Sequence, residues 1–254
     1  KIIKVDEDTG KTVAIEGASF KIRDMATGEL VSQKVGIFET VDTFTTDETG
    51  MVSTPLKLDA GSYQLEEIKA PEGYVLNKEA VPFEITNTGA FIMDEDGDAI
   101  VTVKIGDEAV AGHIKINKSG EVLVGYEDGQ FIYEERGLKG AEYDIIAAED
   151  IMDPSNDGAV IYEKGTVVEH LVTDVRGDAI SQFHPLGKYQ VVETKAPYGY
   201  TLNAEPKDVT LAYAGQEVAL VEESVSFVNE RQQVQLDTIK VDADSKEAVT
   251  GAEI

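Results

Sequence analysis

The sequence predicts an all-β protein built from tandem β-sandwiches, and three observations carry that expectation. Apolar residues alternate with polar ones at a period of two, as in Val81-Pro82-Phe83-Glu84-Ile85 and Val101-Thr102-Val103-Lys104-Ile105. That is the spacing of a half-buried strand. Gly, Asn, Asp and Pro punctuate these runs, which calls for frequent turns. One pattern also begins three times along the 254 residues, as in an array of similar domains.

Composition suits that plan and narrows the partners. Hydrophobic residues make up 42% of the chain, enough for globular cores. The 22 bases against 49 acids give 22 − 49 = −27. A surface this negative repels phosphate backbones and anionic lipid, which argues against nucleic-acid binding and membrane insertion. Zero cysteines exclude disulfides, thiolate metal sites and cysteine nucleophiles. No apolar run is long enough to span a bilayer, and no signal peptide opens the chain. The start Lys1-Ile2-Ile3 reads as mid-protein.

The repeats set the element order. Gly17-Ala18-Ser19-Phe20, Gly140-Ala141-Glu142-Tyr143 and Gly251-Ala252-Glu253-Ile254 are one element at steps of 140 − 17 = 123 and 251 − 140 = 111 residues. Such steps match whole small domains rather than solenoid repeats. Next comes a turn signal, Thr46-Asp47-Glu48-Thr49-Gly50 and Thr173-Asp174-Val175-Arg176-Gly177. The strongest signature follows, Tyr63-Gln64-Leu65-Glu66-Glu67-Ile68-Lys69-Ala70-Pro71-Glu72-Gly73-Tyr74 and Tyr189-Gln190-Val191-Val192-Glu193-Thr194-Lys195-Ala196-Pro197-Tyr198-Gly199-Tyr200. Domains are therefore expected at 1–111 and 112–232, with 233–254 the truncated start of a third. From Tyr143 to Ile151, where Ala147-Ala148-Glu149-Asp150 interrupts the alternation, a helix competes with a strand running into a loop.

These motifs resemble the collagen-adhesin B-type, or SpaA-like prealbumin-like, domains of Gram-positive surface adhesins and pilins. The likeness covers both full copies and the opening of the third. It rests on Lys-x-Asp near the start, Gly-Ala-x-aromatic, Thr-Asp-x-x-Gly and, most specifically, Tyr-x-(Leu/Val)-x-Glu followed by Ala-Pro-x-Gly-Tyr. The resemblance implies tandem reversed immunoglobulin-like sandwiches. It also implies a spontaneous Lys–Asn or Lys–Asp isopeptide bond in each core, assisted by the glutamate of the Tyr-x-Leu-x-Glu element.

The residues themselves are compatible with that chemistry. Alternation puts Tyr63, Leu65 and Glu67 on one strand face, and Tyr189, Val191 and Glu193 on another. A lone glutamate in a strand is usually solvated, yet here the arrangement occurs twice beside the same motif. In an apolar site a carboxyl stays protonated and a lysine is pushed toward the neutral, nucleophilic amine. Acceptors are expected on the last strand of each copy. Asn229 is in phase with Val225 and Phe227, and Asp107 with Val103 and Ile105. A surface turn at Gly106-Asp107 competes with the acceptor role of Asp107.

The donor in the first copy is expected at Lys4, which shares a face with Ile2. In the second, Ile114-Lys115-Ile116-Asn117-Lys118 offers Lys115 and Lys118 on opposite faces. Burying Ile114 and Ile116 takes Lys118 inward, since exposing two isoleucines would forfeit roughly 1.5–3 kcal/mol each.

Other chemistries fit less well. Asp94-Glu95-Asp96-Gly97-Asp98 packs acids like a calcium loop, but Ile105 stands where the twelfth-position glutamate is required, so a hairpin turn is expected. His170 and His184 are fourteen residues apart without a clustered second ligand, and His113 stands alone. Ser181 and His184 lack a nucleophile-elbow context and read as loop residues. Neither metal nor cofactor is expected, and no turnover enzyme. The expected role is a structural stalk module whose partners are neighbouring repeats of the same chain. It would be secreted to the cell surface and anchored to the wall through a region outside this stretch, which has no Leu-Pro-x-Thr-Gly signal. Nor does it carry a tryptophan-containing pilin motif. The alternative is an adhesin module contacting host matrix or cell-surface ligands, for which Val124 to Arg136, with Tyr126, Phe131 and Tyr133, is the best candidate segment.

Overall fold

A computed structural model describes residues 1–86, 92–93 and 99–251. The acidic stretch 94–98 and residues 252–254 lie outside them. Every regular element among the described residues is a strand. The seven principal strands of the first sandwich are β1 (Ile2–Asp6), β2 (Ser19–Asp24), β3 (Phe44–Thr45), β4 (Met51–Val52), β5 (Gly61–Lys69), β6 (Val81–Ile85) and β7 (Val103–Asp107). Strand β1 lies between β7, parallel, and β4, antiparallel. Facing this sheet is the antiparallel set β3-β2-β5-β6. Ile2, Phe20, Ile22, Phe44, Leu65, Val103 and Ile105 fill the space between. These are the in-phase residues of alternating strands, so period two is what makes the core.

The second sandwich repeats the plan with β8 (Ala111–Glu127), β9 (Gln130–Gly137), β10 (Glu142–Ala147), β11 (Val167–Val172), β12 (Asp178–Ile180), β13 (His184–Pro185), β14 (Gly187–Lys195), β15 (Lys207–Leu211) and β16 (Leu220–Asn229). Strand β8 pairs antiparallel with β12 and β13 and parallel with β16. The opposing sheet runs β11-β10-β14-β15. Its core runs from Val110 to Phe227. The competing helix over Tyr143 to Ile151 does not form. Tyr143, Ile145 and Ala147 point inward on β10, and Ile151–Met152 pairs with Val160–Tyr162. Cross-sheet burial of every second residue outweighs the local helix preference of the alanines.

Two local differences separate the copies. In the first, β1 turns back within a few residues, with Val5 bridging Thr12. In the second, β8 and β9 extend as a two-stranded ribbon turned at Asp128-Gly129, both at positive φ. Its outer part exposes Leu123, Tyr126 and Phe131.

The two sandwiches meet in a polar joint. Lys11 Nζ lies 2.7 Å from both Asp153 and Asp157, and Ala14 N–H donates to Ser155 O at 2.9 Å. Gln216 accepts from Ala70 N–H through its side chain and from Leu76 N–H through its backbone. The Ala-Pro-x-Gly-Tyr motif therefore builds the joint: Val110 N–H donates to Gly73 O, and Gln232 N–H to Gly199 O in the second copy.

Candidate functional site

Each repeated motif contributes to one place, the strand that carries the lysine. The turn glycines come first. Gly50 (φ +72°) and Gly177 (φ +83°) need the left-handed region, and a Cβ would fall 1.9 Å from Val13 O in one and 2.1 Å from Lys118 O in the other. That close approach lets Lys4 N–H donate to Gly50 O at 2.9 Å and Lys118 N–H to Gly177 O at 2.7 Å. The threonine opening each turn is buried, and its Oγ1 accepts from the alanine of the Gly-Ala element: Ala18 N–H to Thr46 at 3.1 Å, Ala141 N–H to Thr173 at 3.0 Å.

Register then places the acceptors. Lys4 pairs with Ile105 on the parallel strand, and Asp107 is two residues further on. Lys118 pairs with Phe227, and Asn229 is two residues further on. Both acceptors thus share a strand face with the residue opposite the lysine. Lys4, Glu67 and Asp107 are buried, as are Lys118, Glu193 and Asn229. Lys4 Nζ contacts Asp107 Oδ1 and lies 3.1 Å from Glu67 Oε1. Lys118 Nζ lies 3.1 Å from Glu193 Oε1, the same oxygen that accepts from Asn229 Nδ2 at 2.8 Å. Lys115, the other lysine of β8, is only half-buried.

Burial dominates the electrostatics. It pushes the Glu67 carboxyl up, against the pull of the Lys4 charge and with help from Asp107. It raises Asp107 as well, against Glu67 and Lys4. In the second site it lowers Lys118, opposed by Glu193. Moving one proton from ammonium to carboxylate discharges both groups where isolated charges cost several kcal/mol. Burial thus favours the protonated acid at Glu67 and the neutral amine at Lys118. Beside the second site the buried rings of Phe227 and Tyr143 pack at a tilt, their centroids 4.8 Å apart.

Some supporting residues escape the motif reading. Asn77 and Asn203 give their backbone N–H to Glu67 Oε2 (3.1 Å) and Glu193 Oε2 (3.0 Å), and so fix each carboxyl's orientation. The signal was present as Gly-Tyr-Val-Leu-Asn and Gly-Tyr-Thr-Leu-Asn, three residues beyond each motif tyrosine. Ser181 and His184, expected in a loop, are buried. Ser181 Oγ accepts from Ile114 N–H, and His184 on β13 lies 2.9 Å from Glu169 between Tyr162 and Tyr189. Ser181 does lie in the connection between β12 and β13, buried against β8, whereas His184 is a strand residue facing the core. His113 pairs with Glu222, and His170 with Asp144. Among the described residues no group of three His, Asp or Glu is placed to hold a metal, and no helix is long and apolar enough to cross a membrane.

The SpaA prealbumin-like fold domain matches residues 1–99 and 132–224. The chain belongs to that family. Among solved structures, the Bacillus anthracis TIE protein is 23% identical over 91% of this chain, with a TM-score of 0.54. This chain spans 33% of that protein's length. The C-terminal fragment of the pilus adhesin SpaC from Lactobacillus rhamnosus GG is 16% identical, covering 93% of this chain and 98% of its own, at a TM-score of 0.43. GBS52, the minor pilin of Streptococcus agalactiae, is 16% identical over 94% and 98%, at 0.35. No curated protein matches. The family match and the Bacillus anthracis TIE protein share the prealbumin-like fold with this chain.

Proposed function

We propose that this chain is a structural stalk module of a Gram-positive surface adhesin or pilin-like protein, locked by one autocatalytic isopeptide bond in each sandwich. The observation that carries this reading is the twofold recurrence of lysine, glutamate and acceptor in a water-excluded site at one register. In the second sandwich the neutral Lys118 amine attacks Asn229 Cγ. Glu193 hands a proton to the departing nitrogen and takes up the one the attacking amine loses, so that an amide forms, ammonia leaves and the glutamic acid is restored. In the first, Lys4 attacks Asp107 with Glu67 as proton donor, and water leaves. Each site reacts once, because folding supplies the proximity and the product is the protein itself. Activity as a turnover enzyme is not part of this reading, and neither is a cofactor.

Intact mass at high accuracy tests it: the chain should be lighter than its sequence by one ammonia and one water. Peptide mapping should recover branched species joining the Lys118 peptide to the Asn229 peptide and the Lys4 peptide to the Asp107 peptide. A branch at Lys115 would refute the assigned register.

One observation favours a second role, contact with host matrix or cell-surface ligands. The ribbon exposes Tyr126 and Phe131, whose rings pair at 5.1 Å. Binding of the chain to immobilised matrix proteins, compared with a Tyr126→Ser, Phe131→Ser variant, separates an adhesive ribbon from a passive one.

A further inference from the structure

The two sandwiches carry the same irregularity at the same place beside the glutamate. Strand β2 slips in register between Ser19 and Phe20, and β10 between Glu142 and Tyr143, so that Phe20 stands opposite Glu67 and Tyr143 opposite Glu193. Both aromatic side chains are fully buried. They differ by one hydroxyl. The acceptors differ as well, since the first site has Asp107 and the second Asn229. The phenol thus accompanies the amide.

That hydroxyl is idle in the resting fold. Three other tyrosines are buried, and each has an acceptor: Tyr63 donates to Asp59 O at 2.9 Å, Tyr74 to Asp6 Oδ2 at 3.2 Å and Tyr189 to Pro185 O at 2.8 Å. Tyr143 Oη has no hydrogen-bond partner among the described residues. A buried donor left so is destabilising, and a phenylalanine fills the equivalent place in the first sandwich without that penalty. Asn229 Oδ1, the carbonyl oxygen of the acceptor amide, is likewise without a partner among the described residues. Both atoms belong to one enclosure. The Tyr143 ring packs at 4.8 Å against Phe227, which stands opposite Lys118 and two residues before Asn229 on β16. Burial, reinforced by the Glu193 charge, holds the phenol well above its ordinary value, so it keeps its proton.

We propose that the Tyr143 hydroxyl is a catalytic donor of the second site, serving the carbonyl oxygen of Asn229. The inference rests on the isopeptide reading of Lys118 and Asn229. As Lys118 Nζ adds to Asn229 Cγ, the carbonyl electron pair moves onto Oδ1, and the Tyr143 O–H donates a hydrogen bond to the charge that develops there. No proton leaves the phenol. When the tetrahedral centre collapses, the pair returns to the carbonyl and the Cγ–Nδ2 bond breaks. Ammonia departs with the proton Glu193 supplies, and the glutamate recovers one from the former amine. A donor that is unpartnered in the starting state and partnered at the transition state acts on the barrier alone. The amide needs this help because its nitrogen lone pair already feeds the carbonyl. Asp107 needs less, since burial raises its carboxyl and a carboxyl that holds its proton is activated on its own oxygen. Phe20 suffices beside it.

The test is a time course of cell-free synthesis of the full chain, stopped at intervals in acid denaturant and read by peptide mapping. Tyr143→Phe should slow ammonia loss at Lys118–Asn229 by about tenfold to a hundredfold, as for a lost hydrogen bond to a charged oxygen. Water loss at Lys4–Asp107 in the same chain should keep its rate. In an Asn229→Asp chain the same substitution should slow linkage by less than about threefold, because the protonated acid activates itself. In an unlinked Lys118→Ala chain, Tyr143→Phe should hold or raise Tm, since it removes an unpartnered buried hydroxyl. An unchanged rate of ammonia loss, equal slowing in the Asn229→Asp chain, or a lowered Tm in the unlinked chain would overturn the proposal and leave the isopeptide reading standing. If the unaltered chain itself loses no ammonia, that reading fails and this one with it. The Tm comparison keeps the test decisive if the Asn229→Asp chain does not link.

Discussion

Replacing Glu193 with Gln changes the second site by little more than a proton. Glutamine keeps a carbonyl oxygen for the Asn203 N–H, which lies 3.0 Å away. It has no acid proton for the leaving nitrogen, so the expected product is a folded but unlinked sandwich. The cost follows from the length of chain the bond would close, 229 − 118 = 111 residues. A cross-link of that span restricts the unfolded chain by about 4.8 kcal/mol on the loop-entropy relation used for disulfides. For a domain of this size the loss lowers Tm by roughly 15–25 °C. Differential scanning calorimetry reads the Tm, and intact mass reads the ammonia. Asn229→Ala is the control, because it removes the acceptor and should likewise show no ammonia loss from its own sequence mass. An E193Q chain that still loses ammonia, or one whose second transition stays within a few degrees of the parent's, would refute the assignment of Glu193 as proton donor.

Alkaline pH should act on the first sandwich. Its folded-state Glu67 is pushed up to about 8, chiefly by burial, so its stabilising protonated form is fully present below the ordinary glutamate value and is lost as pH rises through the raised one. Refolding followed by mass should therefore show water loss slower at about pH 9 than at roughly pH 6; equal rates would exclude Glu67 as the acid. Gly177→Ala should destabilise the second sandwich far beyond the ~1 kcal/mol of an ordinary Gly-to-Ala strain, since its Cβ would collide with Lys118 O; a thermal shift of only a few degrees would disprove the turn's clamping role. Residues 1–111 and 112–232, expressed separately, should each give a cooperative unfolding transition. Failure of both with success of the whole would mean a shared core.

Much of this was legible because β-sandwiches write their packing into a period of two. Ile114, Ile116 and Lys118 could be assigned to one face before any coordinates, and Glu67 and Glu193 followed Tyr63 and Tyr189 inward by the same rule. What escaped depends on tertiary contacts with no period. Thr46 and Thr173 look like ordinary turn residues until the Gly-Ala N–H arrives from 28 and 32 residues away. Asn77 and Asn203 act through backbone N–H groups, on which side-chain identity leaves little mark. His184 stands five residues before Tyr189 as Leu58 stands five before Tyr63, and only its burial beside Glu169 distinguishes it from a solvated histidine. The ribbon was visible as an insertion with aromatics, but its continuity with the lysine strand was not.

The parallel pairing of first and last strands also decides how a sandwich would carry tension. A pull along the array enters the first sandwich at Lys1 and leaves beyond Asp107, on two neighbouring strands pointing the same way. The load is then a shear spread over the whole β1–β7 ladder, not a peel that opens one hydrogen bond at a time. With Lys4 joined to Asp107, force would pass through three residues, cross the bond and go straight on toward the joint. The roughly 100 residues between them, which could otherwise pay out about 340 Å of extended chain, would never feel it. Such a link would behave like a fixed length of rod, and compliance would reside in the joints.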